Sequence, residues 1–167
     1  YKNSNLNLNV YNRSLNKTES WVAKYKGKLT KSPAEAAENC NVVFMCVGND
    51  TDVDEVVRGK NGIMKSIPEG SIIVDHTTAS AKIAEDLYKF CKDTNNVSFI
   101  DAPVSGGQAG AENGQLTVML GGDEDAYKQV KFLIDSYAKN STLIGKSGSG
   151  QLAKMVNQIC IAGLLQG

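Results

Sequence analysis

Short apolar runs recur along this chain with segments of helical spacing between them, and that alternation limits the fold more than any single motif. Residues 6–11 read Leu-Asn-Leu-Asn-Val-Tyr, a strand-like alternation, and Ser14 then stands where it can cap a helix carrying Trp21, Val22 and Tyr25 at helical spacing. Residues 28–30 form a short expected strand. Ser32-Pro33 gives an N-cap followed by proline at the first helical position, opening a helix over 34–39. Residues 42–47, Val-Val-Phe-Met-Cys-Val, are continuously apolar, as a strand covered on both faces would be, and Gly48-Asn49-Asp50 turns them into an acidic helix start at 51–57. The theme repeats with a strand at 71–75, a helix over 80–92, a strand at 97–100 and another at 116–120. Gly121-Gly122 then leads to a helix over 123–137 and a last strand at 142–144. Such regular alternation predicts an α/β fold, a doubly wound, mostly parallel sheet with helices on both faces.

Composition narrows the partners. Eighteen Lys and Arg balance eighteen Asp and Glu without a clustered run of one sign, which argues against nucleic acid and against an anionic membrane. The longest apolar run, residues 42–47, is far too short to span a bilayer, and residues 1–5 hold no apolar signal core. Cys40, Cys46, Cys91 and Cys160 are scattered without a C-x-x-C pair or a neighbouring histidine, so they read as reduced, apolar residues of an intracellular protein, with no metal site.

In a parallel α/β sheet ligands gather outside the carboxyl ends of the strands. Asp101-Ala102-Pro103-Val104-Ser105-Gly106-Gly107 follows the strand at 97–100. It offers a hydroxyl at Ser105 beside Gly106 and Gly107, whose main-chain N–H groups can approach a ligand without an intervening Cβ. That composition suits an oxyacid pocket; the alternative is an ordinary glycine loop. After the first strand come Asn12, Arg13 and Ser14, where an NAD-specific dinucleotide site would carry an acidic residue for the ribose 2′-OH. An arginine with a hydroxyl neighbour suits a 2′-phosphate and points to NADP over NAD, although a solvated turn and helix cap also account for these residues. Val47, Gly48 and Asn49, and Thr77 and Thr78, are small or hydroxylic residues that leave room for a nicotinamide and ribose, or simply cap the helices that follow. Finally, Gly148-Ser149-Gly150-Gln151 opens a helix on which Lys154, Asn157 and Gln158 share one face. Lys154, between Leu152, Ala153, Met155 and Val156, is expected to be partly desolvated and so suited to proton transfer near neutral pH; the alternative is an exposed helix lysine.

Taken together, Asn12-Arg13-Ser14, Asp75-x-x-Thr78, Asp101 to Gly107 with Gly110-Ala111 and Gly114, Gly121-Gly122, and Gly148-x-Gly150-Gln151-x-x-Lys154-x-x-Asn157 resemble the β-hydroxyacid dehydrogenases. That family includes 3-hydroxyisobutyrate dehydrogenase, tartronate semialdehyde reductase and glyoxylate/succinic semialdehyde reductases. The resemblance implies a Rossmann-like fold and NAD(P)-dependent interconversion of a short β-hydroxyacid and its semialdehyde. It makes Lys154 the catalytic general acid/base. Ser105, Gly106 and Gly107 would hold the substrate carboxylate, Asn157 and Gln158 would orient the substrate, and Asn12, Arg13, Ser14, Val47, Gly48, Asn49 and Thr78 would contact the cofactor.

Two departures stand out. No glycine precedes Leu6, whereas the family opens with a strand and a G-x-G-x-x-G turn that receives the pyrophosphate. The chain also ends inside the last helix, which in the family leads to an all-helical second domain. The expectation is therefore a fragment: residues 1–146 as a dinucleotide-binding domain without its first βα unit, with an interior strand position vacated, and residues 147–167 as the start of an interdomain helix. Full-length relatives form homo-oligomers, so oligomerisation is expected of the complete protein, in the cytoplasm or in mitochondria. The competing readings are a 6-phosphogluconate-dehydrogenase-like enzyme, which shares the Val-Ser-Gly-Gly turn, and a non-catalytic dinucleotide-fold module.

Overall fold

The computed structural model describes residues 6–166. Strand and helix alternate from β1 (Asn9–Val10), α1 (Leu15–Tyr25), β2 (Lys28–Leu29) and α2 (Pro33–Ala37) to β3 (Val42–Met45), α3 (Asp50–Arg58), β4 (Ile72–Asp75), α4 (Ala81–Asn95) and β5 (Ser98–Asp101). The remainder is β6 (Val104–Ser105), α5 (Gly107–Glu112), β7 (Leu116–Gly121), α6 (Glu124–Ile134), β8 (Ala138–Gly145) and α7 (Ser149–Gln166). The α/β, Rossmann-like architecture expected from the alternation is present.

The strands form two sheets. β1 and β2 make a parallel pair, and β3, β4, β5, β7 and β6 follow in that order in a second sheet, with β8 also pairing β7. β3, β4 and β5 run parallel, Val42 facing Ile72 and Ile72 facing Ser98. All four residues of β4 are buried, because this strand has neighbours on both edges and helices on both faces. Alternate side chains feed two cores. Ile73 and Phe99 pack with Val53, Val57 and Leu87 under α3 and α4. Ile72, Val74, Ile100, Val118 and Leu120 pack with Ala126, Val130 and Ile134 under α6.

Several expected elements change. β3 is not covered on both faces: Met45 is its only buried residue and Phe44 is exposed, because β3 forms one edge of the larger sheet. The expected strand at 6–11 shortens to two residues, and that at 142–144 lengthens to eight. The sheet is also mixed, since β7 runs antiparallel to β5 and β6. Asp101 faces Gly121, Val104 faces Val118 and Ser105 faces Thr117 in one continuous register, so the Asp101 to Ser105 stretch prolongs β5 along β7. Its two-residue pairing past Pro103 is too short to leave a period in the sequence. Ser32 caps α2 as expected, its hydroxyl accepting from the Glu35 N–H at 3.1 Å. Ser14 occupies the N-cap of α1 without a side-chain bond to the helix; instead its own N–H donates to Asn12 Oδ1 at 2.8 Å.

Candidate active site

The residues singled out in the sequence fall into two groups. The first lines the carboxyl-end rim of a cleft of about 680 Å³ that runs along the gap between β1 and β3, the two facing edges of the separate sheets, from Leu8 and Val42 to the turns beyond both strands. Asn12, Arg13, Ser14, Val47 and Gly48 all border it. At Gly48 a Cβ would stand 2.5 Å from Asp52 Oδ2, so a side chain there would displace the Asp52 carboxylate. Asp52 in turn holds Arg13, whose guanidinium donates to Asp52 Oδ1 at 3.1 Å while remaining 78% exposed at the rim. Asn49 sits beside this cleft but outside its lining, and its side chain caps α3 by accepting from the Asp52 N–H at 3.0 Å.

The second group divides between α7, which packs over the ends of β5 and β7, and the corner from β6 into α5. The parity of the sheet fixes its orientation: Ala102, Val104, Val118 and Leu120 face α6, so Asp101, Ser105 and Gly121 present themselves to the opposite face, where α7 packs. The packing is backbone against backbone. A Cβ on Gly150 would lie 2.5 Å from the Met119 carbonyl and 2.8 Å from that of Asp101. The buried residues of α7 are Gly150, Gln151 and Lys154, one turn apart on its sheet-facing side, and Lys154 retains only 8% of its exposure. Its desolvation has a different origin from the one expected. Leu152, Met155 and Val156 point outward and are about half exposed, so the sheet buries Lys154, not its apolar neighbours in sequence. Farther along α7, Asn157 is half-buried and Gln158 exposed; the Asn157 amide donates to Gln158 Oε1 at 3.5 Å, so Gln158 does not share the buried face. Gly106 and Gly107 have φ of 129° and 61°, conformations that favour glycine, and together with half-buried Ser105 they leave an open corner at the sheet's rim.

A chain of hydrogen bonds joins the two groups through Thr77, Gln151 and Asp101, to which the sequence assigned no such bonds. The Val47 N–H, at the cleft, donates to Thr77 Oγ1 at 2.9 Å. The Thr77 carbonyl accepts from Gln151 Nε2 at 2.7 Å, and Gln151 Oε1 accepts from the Ala79 N–H at 3.0 Å. Thr78, between these two anchored residues, is exposed. Asp101 completes the link: its two carboxylate oxygens accept from the N–H groups of Gly148, at 2.7 Å, and Gln151, at 3.0 Å. A carboxylate at the amino end of α7 complements the helix dipole. Burial nevertheless pushes the Asp101 carboxyl above the usual carboxylate range, against those backbone bonds. Burial likewise raises Asp75 to about 6, although Thr77 donates to it. The signal for both was a strand ending in aspartate, Val74-Asp75 and Ile100-Asp101.

His76 stands apart, on the α6 side of the sheet. Its Nδ1 lies 2.6 Å from the Ala102 carbonyl, which can only accept, so Nδ1 carries the proton and Nε2 accepts from the Tyr137 hydroxyl at 2.7 Å. Burial lowers its pKa and keeps it neutral. All four cysteines are free, but Cys46 and Cys160 are exposed, contrary to the apolar surroundings expected of them. Among the described residues no helix is long and apolar enough to cross a membrane.

A cleft whose rim is bordered by residues from the β-to-α turns after β1, β2 and β3 marks a dinucleotide-binding α/β domain. Residues 1–145 match the family of the NAD binding domain of 6-phosphogluconate dehydrogenase, and the chain belongs to that family. It is 51% identical over 160 residues to an uncharacterized oxidoreductase of Shewanella frigidimarina, covering 96% of this chain and 55% of that protein. It is 38% identical over 161 residues to a probable 3-hydroxyisobutyrate dehydrogenase-like protein 1, mitochondrial, of Arabidopsis thaliana, covering 96% of this chain and 47% of the relative. The solved structure of a putative oxidoreductase from Mycobacterium avium superposes with a TM-score of 0.88 at 26% identity, over 96% of this chain and 56% of that one. The chain thus spans about half the length of the curated relatives it matches.

Proposed function

We propose that the complete protein is an NAD(P)-dependent oxidoreductase that interconverts a short β-hydroxyacid and its semialdehyde, with Lys154 moving the proton. The observation that carries this reading is the burial of a lysine on the sheet-facing side of α7, on the same face of the sheet as Ser105. A lysine held at 8% exposure on the face of the sheet that carries Ser105 has no ion-pair partner among the described residues, and a proton donor is what hydroxyacid chemistry requires there.

The carboxyl-end rim of the cleft between β1 and β3 suits a dinucleotide in kind: Gly48 leaves space beside Val47, and Arg13 offers a guanidinium for a 2′-phosphate. NADP is therefore the proposed preference. The bound cofactor supplies or accepts the hydride. The protein's share is orientation and proton transfer. Ser105, with the main chain of Gly106 and Gly107, holds the substrate carboxylate. Asn157 steadies the substrate one turn beyond Lys154. In the reductive direction the Lys154 ammonium polarises the aldehyde oxygen and gives its proton to the alkoxide as the hydride arrives, so its stabilisation grows with the charge of the transition state. Asn12, Ser14, Val47, Asn49 and Thr78 are the remaining proposed cofactor contacts.

An NADPH oxidation assay on the full-length protein tests the reading, using glyoxylate and the semialdehydes of succinate, tartronate and methylmalonate. Turnover of at least one of them is expected. Oxidation of 6-phosphogluconate in its place would move the assignment to that enzyme, and binding of NADPH without turnover of any of these would favour a non-catalytic module.

A further inference from the structure

We infer that Gln151 and Asp101 are positioning residues that lock the helix carrying Lys154 to both the cofactor side and the substrate side of the site. The inference rests on the proposed role of Lys154 and adds what sets that residue's place. Gln151 is 1% exposed and its amide is engaged at both ends: Nε2 donates to the Thr77 carbonyl, and Oε1 accepts from the Ala79 N–H. Both partners are main-chain groups of the turn after β4, flanking Thr78, so an amide side chain on α7 grips a turn of backbone distant in sequence. Thr77 extends the grip to the cleft through its hydroxyl, which receives the Val47 N–H. Asp101, 0% exposed, takes the N–H groups of Gly148 and Gln151 from the last residue of β5, four positions before Ser105.

Lys154 lies one helical turn beyond Gln151, so any shift of the first turn of α7 is carried directly to its ammonium. A buried amide with one donor and one acceptor bond to fixed backbone groups also resists rotation, which an apolar contact of the same size would not. Neither residue is placed to touch a substrate; each acts through Lys154.

The test uses full-length protein and four variants: Gln151→Leu, Gln151→Glu, Lys154→Met and, as a control for simple destabilisation, Val130→Ala in the distant core under α6. Turnover per folded site, NADPH affinity by fluorescence and the pH profile of kcat are measured for each. Gln151→Leu is expected to lower kcat by roughly 10- to 100-fold, the scale of a misplaced catalytic group, with NADPH affinity changed less than threefold. Gln151→Glu keeps the acceptor for Ala79 but presents a carboxylate to the Thr77 carbonyl, so its kcat relative to wild type recovers as acid protonates the new side chain and restores the donor. The Gln151→Leu deficit stays flat with pH, and Val130→Ala turns over normally per folded site. A Gln151→Leu kcat within twofold of wild type, or a loss confined to NADPH affinity, overturns the positioning role while Lys154→Met remains inactive. Normal turnover by Lys154→Met overturns the proton-donor reading and this inference with it.

Discussion

Replacing Gly150 by alanine sets two effects of opposite sign against each other. In a free helix, alanine is worth about 1 kcal/mol over glycine, so the change should stabilise. Here a Cβ would stand 2.5 Å from the Met119 carbonyl, 2.8 Å from the Asp101 carbonyl and 2.9 Å from Asp101 Oδ2, two of these three atoms being backbone that cannot swing away. Relief requires α7 to lift from the sheet, and overpacking of this kind costs about 1–3 kcal/mol. Lifting also stretches the bonds from Gly148 and Gln151 to Asp101, now 2.7 and 3.0 Å, leaving a buried carboxylate short of donors at a further cost of about 1–3 kcal/mol. The steric and polar losses exceed the propensity gain, for a net destabilisation of roughly 1–5 kcal/mol. Because Lys154 rides on the same helix, turnover should fall by about a hundredfold, the effect of an ångström-scale misplacement. Urea unfolding of the full-length protein with kcat measured alongside is the assay, and Gly163→Ala is its internal control. No atom lies within 4 Å of a Cβ at Gly163, so there the propensity gain of up to about 1 kcal/mol should appear alone. A Gly150→Ala protein as stable and as active as wild type would refute the backbone-contact argument.

Lys154→Ala is expected to keep NADPH binding while kcat falls by roughly a hundredfold or more, read from steady-state rates with fluorescence titration of the cofactor. Arg13→Ala should weaken NADPH binding by about tenfold or more and leave NADH nearly unchanged, the signature of a lost 2′-phosphate contact; equal effects on the two would remove the NADP preference. Asp75 makes stability pH-dependent. Its carboxyl ionises near the ordinary 3.8 in the unfolded chain and near 6 in the folded one, so between those values the folded state holds the extra proton and stability falls as pH rises. That shift corresponds to about 3 kcal/mol lost by pH 7, and Asp75→Asn, which retains an acceptor for the Thr77 N–H, should flatten the slope in urea midpoints measured from pH 4 to 7.

The sequence made the alternating architecture legible because its central strands are nearly pure apolar runs: Ile72, Ile73 and Val74 are all buried, as their composition requires. Ser32 and Pro33 likewise announced the start of α2. What stayed hidden depends on partners far along the chain. Phe44 belongs to a run that reads as doubly covered, yet only the sheet order reveals β3 as an edge. The Asp101 to Ser105 segment reads as a loop because its strand character comes from pairing with β7, not from its own pattern. Gln151 looks like any polar helix residue until the turn after β4, more than seventy positions away, supplies its two partners. The sequence singled out Lys154 through its glycine approach and through resemblance, but its burial comes from the sheet, since the apolar residues around it in sequence lie on the other side of the helix.

A crystal structure of the full-length protein with NADP+ and a short β-hydroxyacid bound tests the central claim most directly. The account predicts the carboxylate on Ser105 and the main chain of Gly106 and Gly107, with the β-hydroxyl within about 2.7–3.2 Å of Lys154 Nζ. A hydroxyacid bound in an ordered, turnover-competent pose with Lys154 out of reach of its hydroxyl would contradict it.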